Sequence, residues 1–106
     1  MPVQVTAVVS AFMNGTLNWA VLMTGSSPAT ANTMLGDAAS KSVDVETDDG
    51  GRLVFDFTMN AFPGTAWRLT LTKAGAAAPL YEQSGVTDQR GIGHDSGTVN
   101  FARIAA

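Results

Sequence analysis

Residues 53–60 decide the fold class, because they read Leu-Val-Phe-Asp-Phe-Thr-Met-Asn. Leu53, Phe55, Phe57 and Met59 stand at every second position. This period of two is the signature of a half-buried β-strand. The stretch therefore predicts a strand whose large apolar side chains face a core.

The same alternation recurs along most of the chain and predicts a series of hairpins. Residues 3–24 are predicted to form one hairpin around Asn14-Gly15, the strongest two-residue turn signal. A second is predicted over 42–60, turning at Asp49-Gly50-Gly51, and Pro63-Gly64 marks the next turn. Further strands are predicted at 67–72, 80–83 and 98–104.

Two segments break this pattern. Residues 25–42 predict either a short helix over 29–39, beginning near Pro28, or a loop. Residues 73–96 contain several glycines and are predicted to be loop, apart from the short strand at 80–83. Together the patterns predict one all-β domain over 1–106: a small antiparallel β-sandwich, or a partly open barrel, of six to seven strands built from consecutive hairpins.

One phrase occurs twice in the chain. Residues 15–20 read Gly-Thr-Leu-Asn-Trp-Ala and residues 97–102 read Gly-Thr-Val-Asn-Phe-Ala, with a looser copy at 64–67. Each copy is interpreted as a turn that leads into a strand. Because large aromatic residues dominate β cores, we expect three of them in the core: Trp19, Trp67 and Phe101.

Composition limits the partners. The 106 residues carry six basic and nine acidic side chains, so the net charge of -3 disfavours nucleic acid. Cysteine is absent, which excludes thiolate chemistry. No apolar run is long enough to span a membrane and no signal peptide is evident, so the default expectation is a cytoplasmic protein, with unconventional export as the alternative. We also predict no cofactor.

The acidic run raises the question of calcium. Asp44, Glu46 and Asp48 alternate along a predicted strand, where neighbours two apart are separated by roughly 6.5 Å and do not close readily on one ion. Asp49 follows in the turn. We therefore predict no metal site, and interpret the run as a charged edge that discourages aggregation between sheets.

His94 is the only histidine, so any histidine-dependent hydrolase mechanism would use it. Its neighbours Asp95 and Ser96 cannot complete a triad, because adjacent side chains point apart. Asp37, Asp56 and Asp88 are all candidate partners, and the sequence selects none of them. A hydrolase is accordingly an alternative and not the leading hypothesis.

The leading hypothesis is a non-enzymatic binding or assembly module that recognises a ligand, protein or glycan through loops at one end of the sandwich. Its predicted surface is the glycine-rich stretch 85–96, since β-sandwiches commonly bind through end loops. The candidate binding residues there are Asp88, Arg90, His94 and Asp95.

A second alternative is a lectin-like, carbohydrate-binding module. Asn18 and Asn100 occupy the same place in the repeated phrase and would lie on a polar sheet face. Separately, Val8, Phe12 and the five methionines suggest an exposed apolar patch. Such a patch predicts either a homo-oligomer interface or a surface covered by residues 25–41.

Overall fold

The computed structural model describes residues 3–12, 17–24, 30–38 and 40–101. These residues form eight β-strands and no helix. The strands are β1 (Gln4–Phe12), β2 (Leu17–Thr24), β3 (Thr30–Ala38), β4 (Ser40–Glu46), β5 (Arg52–Ala61), β6 (Ala66–Lys73), β7 (Tyr81–Val86) and β8 (Ile92–Asn100).

The strands form two antiparallel four-stranded sheets that pack face to face. One sheet has the order β4-β1-β6-β7, and the other has the order β3-β2-β5-β8. They do not close into a barrel. The prediction of an all-β antiparallel sandwich is therefore confirmed, and the barrel alternative is set aside.

The core lies between the two inner faces. Its members recur at every second position of β1, β5 and β6, as the alternation predicted. Phe57 of one sheet meets Trp67 of the other with ring centroids 5.7 Å apart. The remaining fully buried large side chains include Leu17, Leu22, Leu53, Met59, Leu69, Leu71 and Phe101.

The predicted hairpins are wrong in their pairing. β1 pairs with β4 and β6, while β2 pairs with β3 and β5, so residues 3–24 cross from one sheet to the other. β4 and β5 likewise belong to different sheets. Two strands that face each other across a core show the same alternation as two strands side by side, so periodicity cannot distinguish the arrangements. The proposed Asn14-Gly15 turn lies outside the described residues.

Residues 30–38 correct the prediction of a helix or loop. They form β3 at the edge of the second sheet, paired with β2 from Leu17↔Ala38 to Thr24↔Thr30. Small and β-branched residues weaken a helix but suit an edge strand. β3 was not among the six to seven strands predicted.

The end of the chain also differs from the prediction. β8 covers Ile92–Asn100, six residues earlier than the predicted closing strand at 98–104. Gly97 therefore lies inside a strand, opposite Phe55, and does not begin one. The predicted residues 102–104 lie outside the described part of the chain. Among the described residues of the phrase repeated at 15–20 and 97–102, Trp19 is half-buried and Phe101 is fully buried, so the two aromatic positions differ.

Candidate functional site

One end of the sandwich is formed by two turns, residues 62–65 between β5 and β6 and residues 87–91 between β7 and β8. We call it the 87–91 end. Two buried threonines join the turns: Thr65 N–H donates to Thr87 Oγ1 over 2.8 Å, and Thr87 N–H donates to the Thr65 carbonyl over 2.9 Å. Both hydroxyls donate to the carbonyl of Phe62, over 2.6 and 2.8 Å. The two turns are therefore held in one fixed arrangement.

The 87–91 end displays apolar side chains to solvent. Phe62 is 65% exposed and Val86 is 64% exposed, which makes them the most exposed large hydrophobic residues among those described. They are brought to the same end because Thr87, next to Val86, bonds the Phe62 carbonyl. Arg90 is exposed in the neighbouring turn.

Asp88 builds the turn. Its Oδ1 accepts hydrogen bonds from the backbone N–H of Arg90 over 2.8 Å and of Ile92 over 3.0 Å. The bond from Ile92, and then that from Arg90, lowers the pKa of the Asp88 carboxyl below its ordinary value. Asp88 was predicted to bind a ligand, but one oxygen of its carboxylate is committed to shaping the turn that presents Arg90.

The turn at 87–91 has a copy at 47–51, which sequence reasoning missed. Asp48 Oδ1 accepts from the backbone N–H of Gly50 and of Arg52, each over 2.9 Å. The bond from Arg52 is the main cause of a lowered pKa at Asp48. Both segments read Thr-Asp-x-x-Gly, and both end in a glycine with φ near 80°. The signal was the identical spacing, forty residues apart, and it marks a turn.

Asn60 is a second residue that sequence reasoning missed. Its side-chain Nδ2 donates to the carbonyls of Gly91, over 3.2 Å, and of Arg90, over 3.4 Å. Asn18 Nδ2 in turn donates to Asn60 Oδ1 over 2.8 Å. The amides thus connect Asn18, on the outward face of the second sheet, to the 87–91 turn.

His94 and Asp95 point to opposite sides of β8. His94 is on the outward face, where Nε2 lies 2.7 Å from Oδ1 of Asp56. Asp95 is turned towards the other sheet, where Tyr81 donates its hydroxyl proton over 2.5 Å. Asp56 is one of the three partners considered for His94, and both side chains are more than half exposed.

The predicted binding residues are therefore only partly brought together. Asn18 connects through Asn60 to the Arg90 turn, and His94 lies on the same outward face as Asn18. Asn100 lies at the far end of β8, opposite Arg52. The pairing of Asn18 with Asn100 on which the lectin alternative rested is consequently not found.

The stretch 85–96 is mostly strand and not loop, which corrects the predicted surface. Only 87–91 is turn. Gly85 and Gly93 make room for a ring: a Cβ on Gly85 would lie 2.6 Å from Cζ2 of Trp67, and one on Gly93 would lie 2.7 Å from its Nε1. These glycines reflect close packing, a cause that composition alone does not separate from loop formation.

Trp19 does not lie in the core, although Trp67 and Phe101 do. The register of β2 shifts between Leu17 and Trp19 against both neighbouring strands. This β-bulge adds one residue, so Ala20 and Leu22 face the core while Trp19 is half-buried on the outward side.

Two residues of the acidic run lie on an edge strand, where charged side chains discourage pairing with another sheet. Asp44 and Glu46 are on β4, an edge strand, and accept hydrogen bonds from Thr6 and Gln4 of β1. Among the described residues, no three His, Asp or Glu side chains are placed to hold a metal ion.

The apolar patch suggested for Val8, Phe12 and the methionines lies only in part among the described side chains. Val8 lies on the outward side of the first sheet, whereas residues 30–38 belong to the second sheet and do not cover it. Met59 is buried, and Met23 is exposed on the second sheet. The Phe12 side chain lies outside the described part.

The contact between Tyr81 and Asp95 can be tested through the pKa of the Tyr81 phenol. Burial, together with the hydrogen bond to Asp95 and its charge, raises the pKa of Tyr81 to about 12. Tyr81 is the only tyrosine, so phenolate absorbance reports on it alone. We expect a titration midpoint near 12 in the folded protein and near 10 in denaturant.

The raised pKa of Tyr81 makes the free energy of unfolding depend on pH in the alkaline range. The unfolded chain releases the phenol proton first, so the stabilisation is complete below about pH 10 and is lost as the pH rises towards 12. Asp95→Asn should lower the midpoint but leave it above 10, because burial is the larger cause. A midpoint near 10 in protein that circular dichroism shows to be folded would contradict this contact.

The described residues include no helix long and apolar enough to cross a membrane. Comparison of the chain with protein-family models, curated proteins and solved structures finds no match.

Proposed function

We propose that the protein is a non-catalytic binding module that recognises a protein partner through the 87–91 end. The observation that carries the proposal is the exposure of Phe62, 65%, in a turn and of Val86, 64%, at the end of β7, both next to the buried threonine hydrogen bonds. Exposed apolar groups that lie together commonly mark interaction sites.

Rigidity supports this reading. A surface that is ordered before binding loses less conformational entropy when the complex forms. Thr65 and Thr87 are buried and bonded to each other, and Asp88 and Asn60 fix the adjoining turn. The apolar side chains are therefore presented on a backbone that has little left to order.

The partner should offer an apolar cavity with an acidic rim. Phe62 and Val86 would fill the cavity, and exposed Arg90 would meet a carboxylate at its edge. Arginine and aromatic residues are enriched among the residues that dominate binding energy. The net charge of -3 disfavours a strongly acidic partner overall, so the complementary charge should be local.

The experiment places a photo-crosslinking amino acid at Phe62 and, as a control, at Leu80. Leu80 is also exposed, at 44%, but it lies just before β7 at the other end of that strand. We expect cells expressing the protein to give a specific crosslinked partner from position 62 only. Identical crosslinks from both positions would contradict the proposal.

The captured partner then allows a quantitative test. Phe62→Ser and Val86→Ser should each weaken its binding by about 10-fold or more, as expected for central interface residues. Leu80→Ser should leave the affinity unchanged. Isothermal titration calorimetry measures the affinities, and thermal unfolding confirms that each variant is folded.

The hydrolase alternative receives less support. His94 has a carboxylate partner in Asp56, but the pair stands on an open sheet face with side-chain exposures of 54% and 60%. Catalytic hydrogen bonds and charges are most effective where water is excluded. If the protein hydrolyses any ester or glycoside probe, an unchanged rate in His94→Ala would eliminate this alternative.

A further inference from the structure

The bulge in β2 turns an aromatic ring away from the core. Leu17 is opposite Ala61, and Trp19 is opposite Asn60, so Asn18 is the inserted residue. In a regular strand Trp19 would share the buried side of Leu17. Bulges re-aim side chains and are frequent next to functional sites. Here the bulge places Trp19 on the outward face and next to an exposed amide.

The amides beside Trp19 are held in place. Asn60 is fixed by its bonds to the carbonyls of Gly91 and Arg90, and Asn18 is fixed by its bond to Asn60. Asn18 is exposed, and its side-chain oxygen, Oδ1, accepts no hydrogen bond from the described residues. An amide both donates and accepts hydrogen bonds, so Asn18 can still do both.

A second polar pair lies on the next row of the same face. His94 is opposite Thr58, one row from the Trp19–Asn60 row, and its ring lies 2.7 Å from Asp56. Successive outward rows are roughly 7 Å apart along the strands. An aromatic ring, an amide pair and an imidazole–carboxylate pair therefore lie on neighbouring rows of one sheet face.

From this arrangement we infer that the outward face of the second sheet binds an uncharged, polyhydroxylated ligand, a carbohydrate. The weakly polar C–H face of a sugar ring packs on the π-face of an indole, as Trp19 would provide. Its hydroxyl groups both donate and accept, which matches Asn18 and the His94–Asp56 pair. Asp56 disfavours phosphate or sulfate, and these rows carry no lysine or arginine among the described residues.

This site adjoins the protein-binding surface proposed above, because Asn60 bonds the 87–91 turn, but different side chains would touch the two ligands. Phe62 and Val86 belong to the turns and to β7, whereas Trp19, Asn18 and His94 lie on the outward face of β2 and β8. Either site can therefore fail without the other. Phe62→Ser should leave the carbohydrate site intact, and Trp19→Ala should leave the protein partner bound.

The test is an array of neutral and sulfated glycans probed with the intact protein at high concentration. We expect binding to neutral glycans, and a loss of affinity of about 10-fold or more in Trp19→Ala, measured on the best glycan by nuclear magnetic resonance titration. Trp19→Phe keeps an aromatic ring and should retain part of the affinity. Asn18→Ala should weaken binding about 3- to 10-fold, which is the effect expected from the loss of one hydrogen bond.

Matched controls keep the outcome clear. Thr98 lies on the same face of β8 near its far end, opposite Val54, so Thr98→Ala should bind as the unaltered protein does. Thermal unfolding establishes that each variant is folded. The proposal is overturned if no neutral glycan binds, if only sulfated glycans bind, or if folded Trp19→Ala binds as tightly as the unaltered protein.

Discussion

Gly91→Ala should lower the stability of the protein by about 3 kcal/mol, one of the largest effects of adding a single methyl group to this chain. Gly91 has a φ of +79°, a left-handed conformation that costs an alanine about 1–2 kcal/mol. The added Cβ would also lie 2.1 Å from the carbonyl oxygen of Ala61, a backbone atom. The backbone must move, so the Ala61 N–H bond to the Gly91 carbonyl weakens, at about 0.5–1.5 kcal/mol.

The change should lower the melting temperature by on the order of 15 °C for a domain of this size, measured by calorimetry or circular dichroism. Gly75→Ala is the matched control. Gly75 has nearly the same φ, +84°, but a Cβ there meets nothing within 4 Å. It should therefore show only the conformational cost, about 1–2 kcal/mol. Equal losses in the two variants would show that the close approach to Ala61 contributes nothing.

The turn that contains Gly91 is specified by a sequence pattern that is easily overlooked. The phrases at 15–20 and 97–102 match closely in sequence, but Gly97 lies inside β8 and does not begin a strand. The spacing Thr-Asp-x-x-Gly at 47–51 and 87–91 is less conspicuous, yet it specifies the same backbone hydrogen bonds in both places. What repeats in the structure is the position of an aspartate relative to the backbone it bonds.

Alternation predicted the inner faces of β1, β5 and β6 correctly, because one buried and one outward side impose it on any such strand. It could not assign strands to sheets, since both sheets face the same core. It also could not locate the bulge. Trp19 fits the apolar side of a regular strand, and only the register against Ala61 and Asn60 shows that the side has changed.

The candidate site was predictable only in part for the same reason. Arg90 lies on a turn, as expected for a residue in a glycine-rich segment. Asn60 could not be selected, because its role depends on a turn thirty residues away that meets it only after folding. Likewise, the sequence offered three carboxylates as partners for His94. Only the pairing of β5 with β8 shows that the partner is Asp56.

Gly93→Ala is the second large effect that we expect, through packing and not through backbone conformation. A Cβ on Gly93 would lie 2.6 Å from Sδ of Met59 and 2.7 Å from Nε1 of Trp67. The thioether can move, because methionine is flexible. The indole has less freedom, since Gly85 of β7 also lies against it, and a Cβ there would be 2.6 Å from its Cζ2. Overpacking of this kind costs about 1–3 kcal/mol, and urea unfolding would measure it.

A double-mutant cycle with Trp67→Phe identifies the cause. Phenylalanine is smaller and removes an indole N–H that is buried without an acceptor among the described residues, which offsets part of the cavity it leaves. Gly93→Ala should then cost about 1–2 kcal/mol less beside Phe than beside Trp, a coupling of the size seen between touching residues.

Gly97→Ala supplies the comparison on the same strand. A Cβ there would lie 3.6 Å from the ring of Phe55, an ordinary contact. Its effect should therefore add to that of Trp67→Phe within about 0.5 kcal/mol. Equal coupling energies of Gly93→Ala and Gly97→Ala with Trp67→Phe would mean that both substitutions act through the backbone of β8. The close fit of the indole against Gly93 would then not explain why a glycine is needed there.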